Sequence, residues 1–209
     1  SIELKGKELG YDLASDRETL GEVVDRVKEL EASGYSFEAA DASFELLLRA
    51  DRAARAEDYT FAVVASRFNG ALVEKLVEGA VDELVKRGAS ADDIHLVWVP
   101  GALEIPLAAR RALDSLGVHA VVCVGCVIQG GTDHYQHVCR ATADGILRVA
   151  LDQDAVVTNG VLTVATLAQA EERAGGVHGN KGAEAAVAVI EQAQVLRLAT
   201  GKRGKAGRG

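Results

Sequence analysis

From residue 59 onward the chain alternates between short, almost wholly apolar runs and longer stretches whose apolar residues return every three or four positions. The runs are "YTFAVVAS", "IHLVWV", "HAVVCVGCVI" and "AVVTNGVLTV". After the first, Leu72, Leu76, Ala80 and Leu84 recur at every fourth residue, the spacing of one helix face. Further helices are predicted over about 104–115, 134–151, 166–174 and 180–199. A strand that is apolar throughout has to be buried on both faces, and the intervening helices supply the cover. The pattern therefore predicts an α/β three-layer sandwich, a four-stranded, mainly parallel sheet flanked by helices. Ligands in such folds settle beyond the carboxyl ends of the strands, so the segment after each run is where chemistry is sought.

Residues 1–57 follow another pattern. "SDRE" at 15–18 has the form of a capping box, and Leu20, Val23, Val27 and Leu30 follow it at helical spacing up to Gly34. Ser36 can cap a second helix with Phe37, Ala40, Phe44 and Leu47 along one side. This predicts a helical hairpin over 1–57, peripheral to a domain spanning 58–199. The tail 200–209, with four basic residues among glycines, reads as disordered.

Composition narrows the function. The 209 residues carry a net charge of −8, which argues against a general nucleic-acid binder. No apolar run reaches the roughly 20 residues that span a bilayer, and the opening "SIELKGKELG" does not read as a signal peptide. The three cysteines read as reduced thiols, implying a cytoplasmic protein. Cys123 and Cys126 spell C-x-x-C, but they fall within an apolar strand whose alternation sends them to opposite faces, so they read as core residues.

The strand ends hold the candidate groups. Phe68 precedes Asn69, a plausible helix cap, and is either a staple or an exposed ring for a planar ligand. "VPGALEIP" places a turn, then Glu104, favourably charged near a helix start, and Pro106 in its first turn. "QGGTDH" combines glycines, Thr132 and a helix N-terminus, which suits a phosphate, with His134 beside them; an imidazole titrates near neutrality and can shuttle protons. Arg173 and Lys181 stand near helix boundaries, either as a solvated face or as partners of Thr132 in an anion pocket.

In order, "VVASRFNGALVEKLVEGAVDELVKRGA", "VPGALEIPLAA", "GCVIQGGTDHYQHV", "NGVLTVATLAQAEERAG" and "HGNKGAEAA" resemble the lumazine synthase family over residues 59 to about 198. The resemblance implies a flavodoxin-like fold. It also implies condensation of 5-amino-6-(D-ribitylamino)uracil with 3,4-dihydroxy-2-butanone 4-phosphate, giving 6,7-dimethyl-8-ribityllumazine, phosphate and water without metal or redox cofactor. On this likeness the pyrimidine stacks on Phe68, while Ala102, Leu103, Glu104, Cys126, Val127 and Ile128 border the ring and ribityl chain. Asn159 stands beside the pyrimidine where the family often has Phe. Gly131, Thr132, Arg173 and Lys181 hold the phosphate, and His134 moves protons.

The likeness also implies a homo-oligomer built from pentamers, with sites between adjacent subunits and, in many members, a 60-subunit icosahedral shell. Three departures stand out. Asp133 occupies a position that is commonly Pro, Leu103 replaces a frequent aromatic, and residues 1–57 instead resemble the helical connector of citramalate synthase. Two other readings of the same fold stay open here, a catalytically weakened pentamer or shell scaffold and a flavin-binding protein.

Overall fold

The computed structural model describes residues 56–200. The chain divides between residues 54 and 55 into two units, and the described residues all fall in the second. The hairpin expected over 1–57 and the tail expected over 200–209 lie outside the described residues, apart from Ala56, Glu57 and Thr200.

After a short 3-10 turn at Ala56–Asp58 come β1 (Phe61–Ser66), α1 (Gly70–Lys86), β2 (Ile94–Val99), α2 (Ile105–Leu116), β3 (Ala120–Ile128), α3 (His134–Gln153) and β4 (Val156–Val164). Then follow α4 (Leu167–Arg173), β5 (Ala174–Gly176), β6 (Gly179–Asn180) and α5 (Lys181–Thr200). The four long strands form one sheet in the order β2-β1-β3-β4, every pairing parallel. The expected architecture is thus present, with helix ends within two residues of their predicted positions. The small antiparallel hairpin of β5 and β6 was not predicted.

The central strands β1 and β3 are buried almost throughout, as expected, but the edge strands β2 and β4 are only partly covered, with Leu96 of β2 45 % exposed, because an edge strand has a neighbour on one side only. On one face Ala62 and Val64 of β1 pack with Ile105, Ala109 and Ala112 of α2 and with Ile146 and Val149 of α3. On the other, α1 buries Leu72, Leu76, Ala80 and Leu84, the residues whose spacing announced it, and runs beside α5, which buries Ala186, Val189 and Ile190. The α1–α5 approach is close enough to specify residue size. A methyl group on Gly182 would run into the backbone carbonyl of Leu76, which cannot move without disturbing α1. Gly125 of β3 answers to a similar demand, since a Cβ there would lie 2.8 Å from the buried Ser66 hydroxyl on β1. This explains the glycine inside "CVGC".

Cys123 and Cys126 are both free and buried in β3, as expected of core residues. Burial raises the Cys126 thiol to about 11 and the Cys123 thiol higher still.

Two measurements follow from this packing. Unfolded thiols ionise near pH 8.5 while the folded ones stay protonated, so the folded chain binds more protons above that pH. Stability is therefore full below about pH 8.5 and falls as pH rises towards the folded values, by up to about 1.4 kcal/mol per pH unit for each thiol. The urea midpoint should drop between pH 8 and pH 10, and Cys123→Ala should shrink that drop. Gly182→Ala should cost roughly 1–3 kcal/mol in the same assay. Gly130→Ala, where no atom stands within 4 Å of the added carbon, should change it by less than about 0.5 kcal/mol.

Candidate functional site

In the order β2-β1-β3 the loop after β1 leads to α1 on one face and the loop after β3 to α3 on the other, so a crevice opens between the carboxyl ends of these neighbouring strands. Two backbone bonds fasten the exit of β1 to that of β2. Arg67 N–H donates to the Val99 carbonyl at 2.8 Å and Phe68 N–H to the Pro100 carbonyl at 3.2 Å. Held this way, Phe68 projects outward with 72 % of its surface exposed. It is no staple within the chain, and a planar ligand has an aromatic face to stack on.

Asn69 sits at the N-cap of α1 in the left-handed conformation, φ 61°, but its side chain makes no capping bond. Instead the carboxamide reaches across the sheet and donates to the Cys126 carbonyl at 2.8 Å. The expected cap position is right and the expected cap bond is absent. What Asn69 does is tie the base of the Phe68 loop to the end of β3.

Around the exit of β2, Ala102 is buried and Leu103 is 48 % exposed. Glu104, whose carboxylate accepts from Gly101 N–H at 2.8 Å, closes a 3-10 turn, Ala102–Glu104, leading into α2. At the end of β3, Val127 and Ile128 are half-buried, and Gln129 N–H extends the ladder to Val164 of β4 at 2.9 Å. Gly130, Gly131, Thr132, Asp133 and His134 then stand exposed at the start of α3. A Cβ on Gly130 or Gly131 would meet nothing within 4 Å, and neither has a positive φ. Nothing within the chain demands glycine at either position, and bare backbone beside the unpaired N–H groups of a 20-residue helix is well suited to an anion. Asp133 occupies the N-cap of α3 without a side-chain capping bond.

Asn159, Arg173 and Lys181 lie elsewhere. They line a cleft of about 560 Å³ bordered by residues 158–164 of β4 and the first two turns of α5. Asn159 pairs in register with Cys123, three rungs short of Cys126, or about 10 Å along the strand. Its carboxamide oxygen accepts from Val161 N–H at 3.0 Å. Arg173 donates to the Gln169 carbonyl at 3.1 Å and lies 3.4 Å from the Glu172 carboxylate. Lys181 is hydrogen-bonded to Glu184, a partner sequence reading passed over although it stands one helical turn away on the same face. Both cations are only partly buried, so these pairings are weak enough for a doubly charged anion to displace.

Tyr135 and Cys139 on α3 carry a phenol and a thiol whose pKa values burial raises above their ordinary ones. Among the described residues no group of three or more His, Cys, Asp or Glu side chains gathers to hold a metal ion. Nor is any helix among them long and apolar enough to cross a membrane.

One chain thus bears the candidate residues as two sets, an aromatic and anion-suited set around the ends of β1, β2 and β3, and a cationic set in the cleft beside β4. The sequence model of the family described as 6,7-dimethyl-8-ribityllumazine synthase matches residues 58–197. The chain is 53 % identical over 137 residues to the 6,7-dimethyl-8-ribityllumazine synthase of Gemmatimonas aurantiaca, covering 66 % of this chain and 84 % of that protein. It is 46 % identical over 145 residues to the enzyme of the same name from Desulfosudis oleivorans, covering 69 % of this chain and 92 % of that protein. The parallel four-stranded fold is consistent with these matches, and they show that the chain belongs to the 6,7-dimethyl-8-ribityllumazine synthase family.

Proposed function

We propose that residues 58–199 form a lumazine synthase domain. It condenses 5-amino-6-(D-ribitylamino)uracil with 3,4-dihydroxy-2-butanone 4-phosphate to give 6,7-dimethyl-8-ribityllumazine, phosphate and water, as a step of riboflavin biosynthesis. The observation that carries this reading beyond the family match is the pair of unforced glycines at 130 and 131, opening a long helix that starts with His134. In this reading the pyrimidine stacks on the exposed Phe68. The backbone of Ala102, Leu103 and Glu104 and of Cys126, Val127 and Ile128 flanks ring and ribityl chain. Gly131, Thr132, Arg173 and Lys181 take the phosphate, and Asn159 stands beside the pyrimidine.

The pyrimidine amine attacks the ketone and water leaves to give an imine. A proton leaves the adjacent carbon as phosphate is expelled, the resulting enol converts to a ketone, and attack of the second nitrogen on that ketone closes the ring with loss of water. Each stage moves protons, which is the role of His134, while holding two substrates together and stabilising the departing phosphate supply the larger share of the acceleration.

Because the two sets of residues sit in different places on one chain, we infer that a site is completed by two copies, one offering its strand ends and the next its β4 cleft. The assembly this implies is a homo-oligomer, and the likeness to the lumazine synthase family makes it one built from pentamers.

Turnover and particle mass measured on one preparation test the proposal. Mixing the two substrates should release phosphate, and the mass should be a multiple of five chains, distinguishing a free pentamer from a 60-subunit shell. His134→Ala should slow turnover by about 10²-fold without abolishing it. An assembled protein that gives no product would overturn the enzymatic reading in favour of a scaffold.

A further inference from the structure

The β5–β6 hairpin gives the two cations of the cleft a fixed relation. Arg173 is the last residue of α4 and Lys181 the first of α5, and the hairpin between them pairs Ala174 with Asn180. The two cationic residues therefore flank a single antiparallel rung, and whatever fixes that rung fixes them both. Gly175 and Gly179, at φ 105° and 74°, let the chain turn back within so few residues.

What fixes the rung is the Asn180 side chain. Its carboxamide oxygen accepts from Gly182 N–H at 2.8 Å and Ala183 N–H at 3.2 Å, capping α5. Its amide nitrogen donates to the Lys75 carbonyl in α1 at 2.7 Å, a residue 105 positions earlier in the chain. The slot that receives the group is cut to size: a methyl on Gly79 of α1 would strike the carboxamide itself, and one on Gly182 would strike the Leu76 carbonyl. A cap alone needs only an acceptor, which Ser, Thr or Asp also supplies. Donation to another helix needs the amide, and Gly79 makes room for it while Gly182 lets α5 come close enough to α1 to be reached.

We propose that Asn180 is a positioning residue for phosphate capture. It clamps the start of α5 to α1, so that Lys181 and, through the shared rung, Arg173 are held at the spacing a phosphate group requires. The inference rests on the reading of those two cations as phosphate ligands. It adds that their placement is set by a side chain that touches no substrate.

The test uses the full chain and inorganic phosphate as probe, with affinity measured by calorimetry, beside steady-state kinetics on both substrates. Asn180→Ser keeps an acceptor for the cap, is uncharged and cannot reach Lys75. It should weaken phosphate binding about tenfold and raise KM for the phosphate-bearing substrate to match, with KM for the pyrimidine unchanged within twofold. In a Lys181→Ala background the same substitution should produce at most half that loss on a logarithmic scale, because Asn180 acts in part through Lys181. Gly79→Ala leaves Asn180 in place, improves the helix propensity of α1 and crowds the carboxamide. It should reproduce the loss even if Asn180→Ser assembles poorly. Native phosphate affinity in both variants, a rise in both KM values alike, or full additivity with Lys181→Ala would overturn the clamp and leave Asn180 as a cap. A native chain that binds no phosphate would overturn the clamp together with the ligand reading beneath it, and a native chain that binds phosphate without turnover would overturn only the enzymatic reading.

Discussion

The two central strands, β1 and β3, are apolar on both faces and can show neither to water, and the rest of the molecule answers to that constraint. Two helices have to lie on each side, so each strand has to be followed by a crossover, and all the loops leading from strand to helix gather at one rim of the sheet. The pairs α1–α5 and α2–α3 meet this demand with small residues where the helices come closest: Gly182 against Leu76 on one side, and on the other Gly145 against the ring of Pro106, where a Cβ would lie 2.7 Å from the ring carbon. Close packing of this kind resists deformation, and it gives the rim loops a stiff base from which to present Phe68 and His134.

Most of the fold was legible in the sequence because two periodicities do not imitate each other. Runs such as "AVVCVGCVI" have no polar face, whereas Leu72, Leu76, Ala80 and Leu84 return on a helical period, and the structure buries these residues as that pattern implies. The β5–β6 hairpin was not legible, because strands of three and two residues leave no alternation to detect and glycines at left-handed φ read only as a loop. Asn69 shows another limit. Its position before a helix is a local fact, while the bond its side chain makes, to Cys126 57 residues later, depends on strand order.

The candidate residues were chosen through the order of their motifs, but their division into two sets on the chain could not be read that way. Spacing along the chain cannot tell that Asn159 stands level with Cys123 rather than with Cys126, since that is a matter of register between β3 and β4. Nor does it reveal that Arg173 and Lys181 share a rung of a hairpin. The Lys181–Glu184 pair, by contrast, stands at ordinary helical spacing and was there to be read.

Among the described residues no strand pairs with the outer edge of β4. A bare parallel edge is an invitation to stray strands, and polymerisation through such edges is a standing hazard for proteins kept at high local concentration. Asn159 blunts that hazard at its centre: by turning its own carboxamide oxygen onto Val161 N–H, it withdraws one of the donors an incoming strand would need. One rung of the cleft margin is thereby satisfied from within the strand, which makes it a weaker template for an added strand at that point.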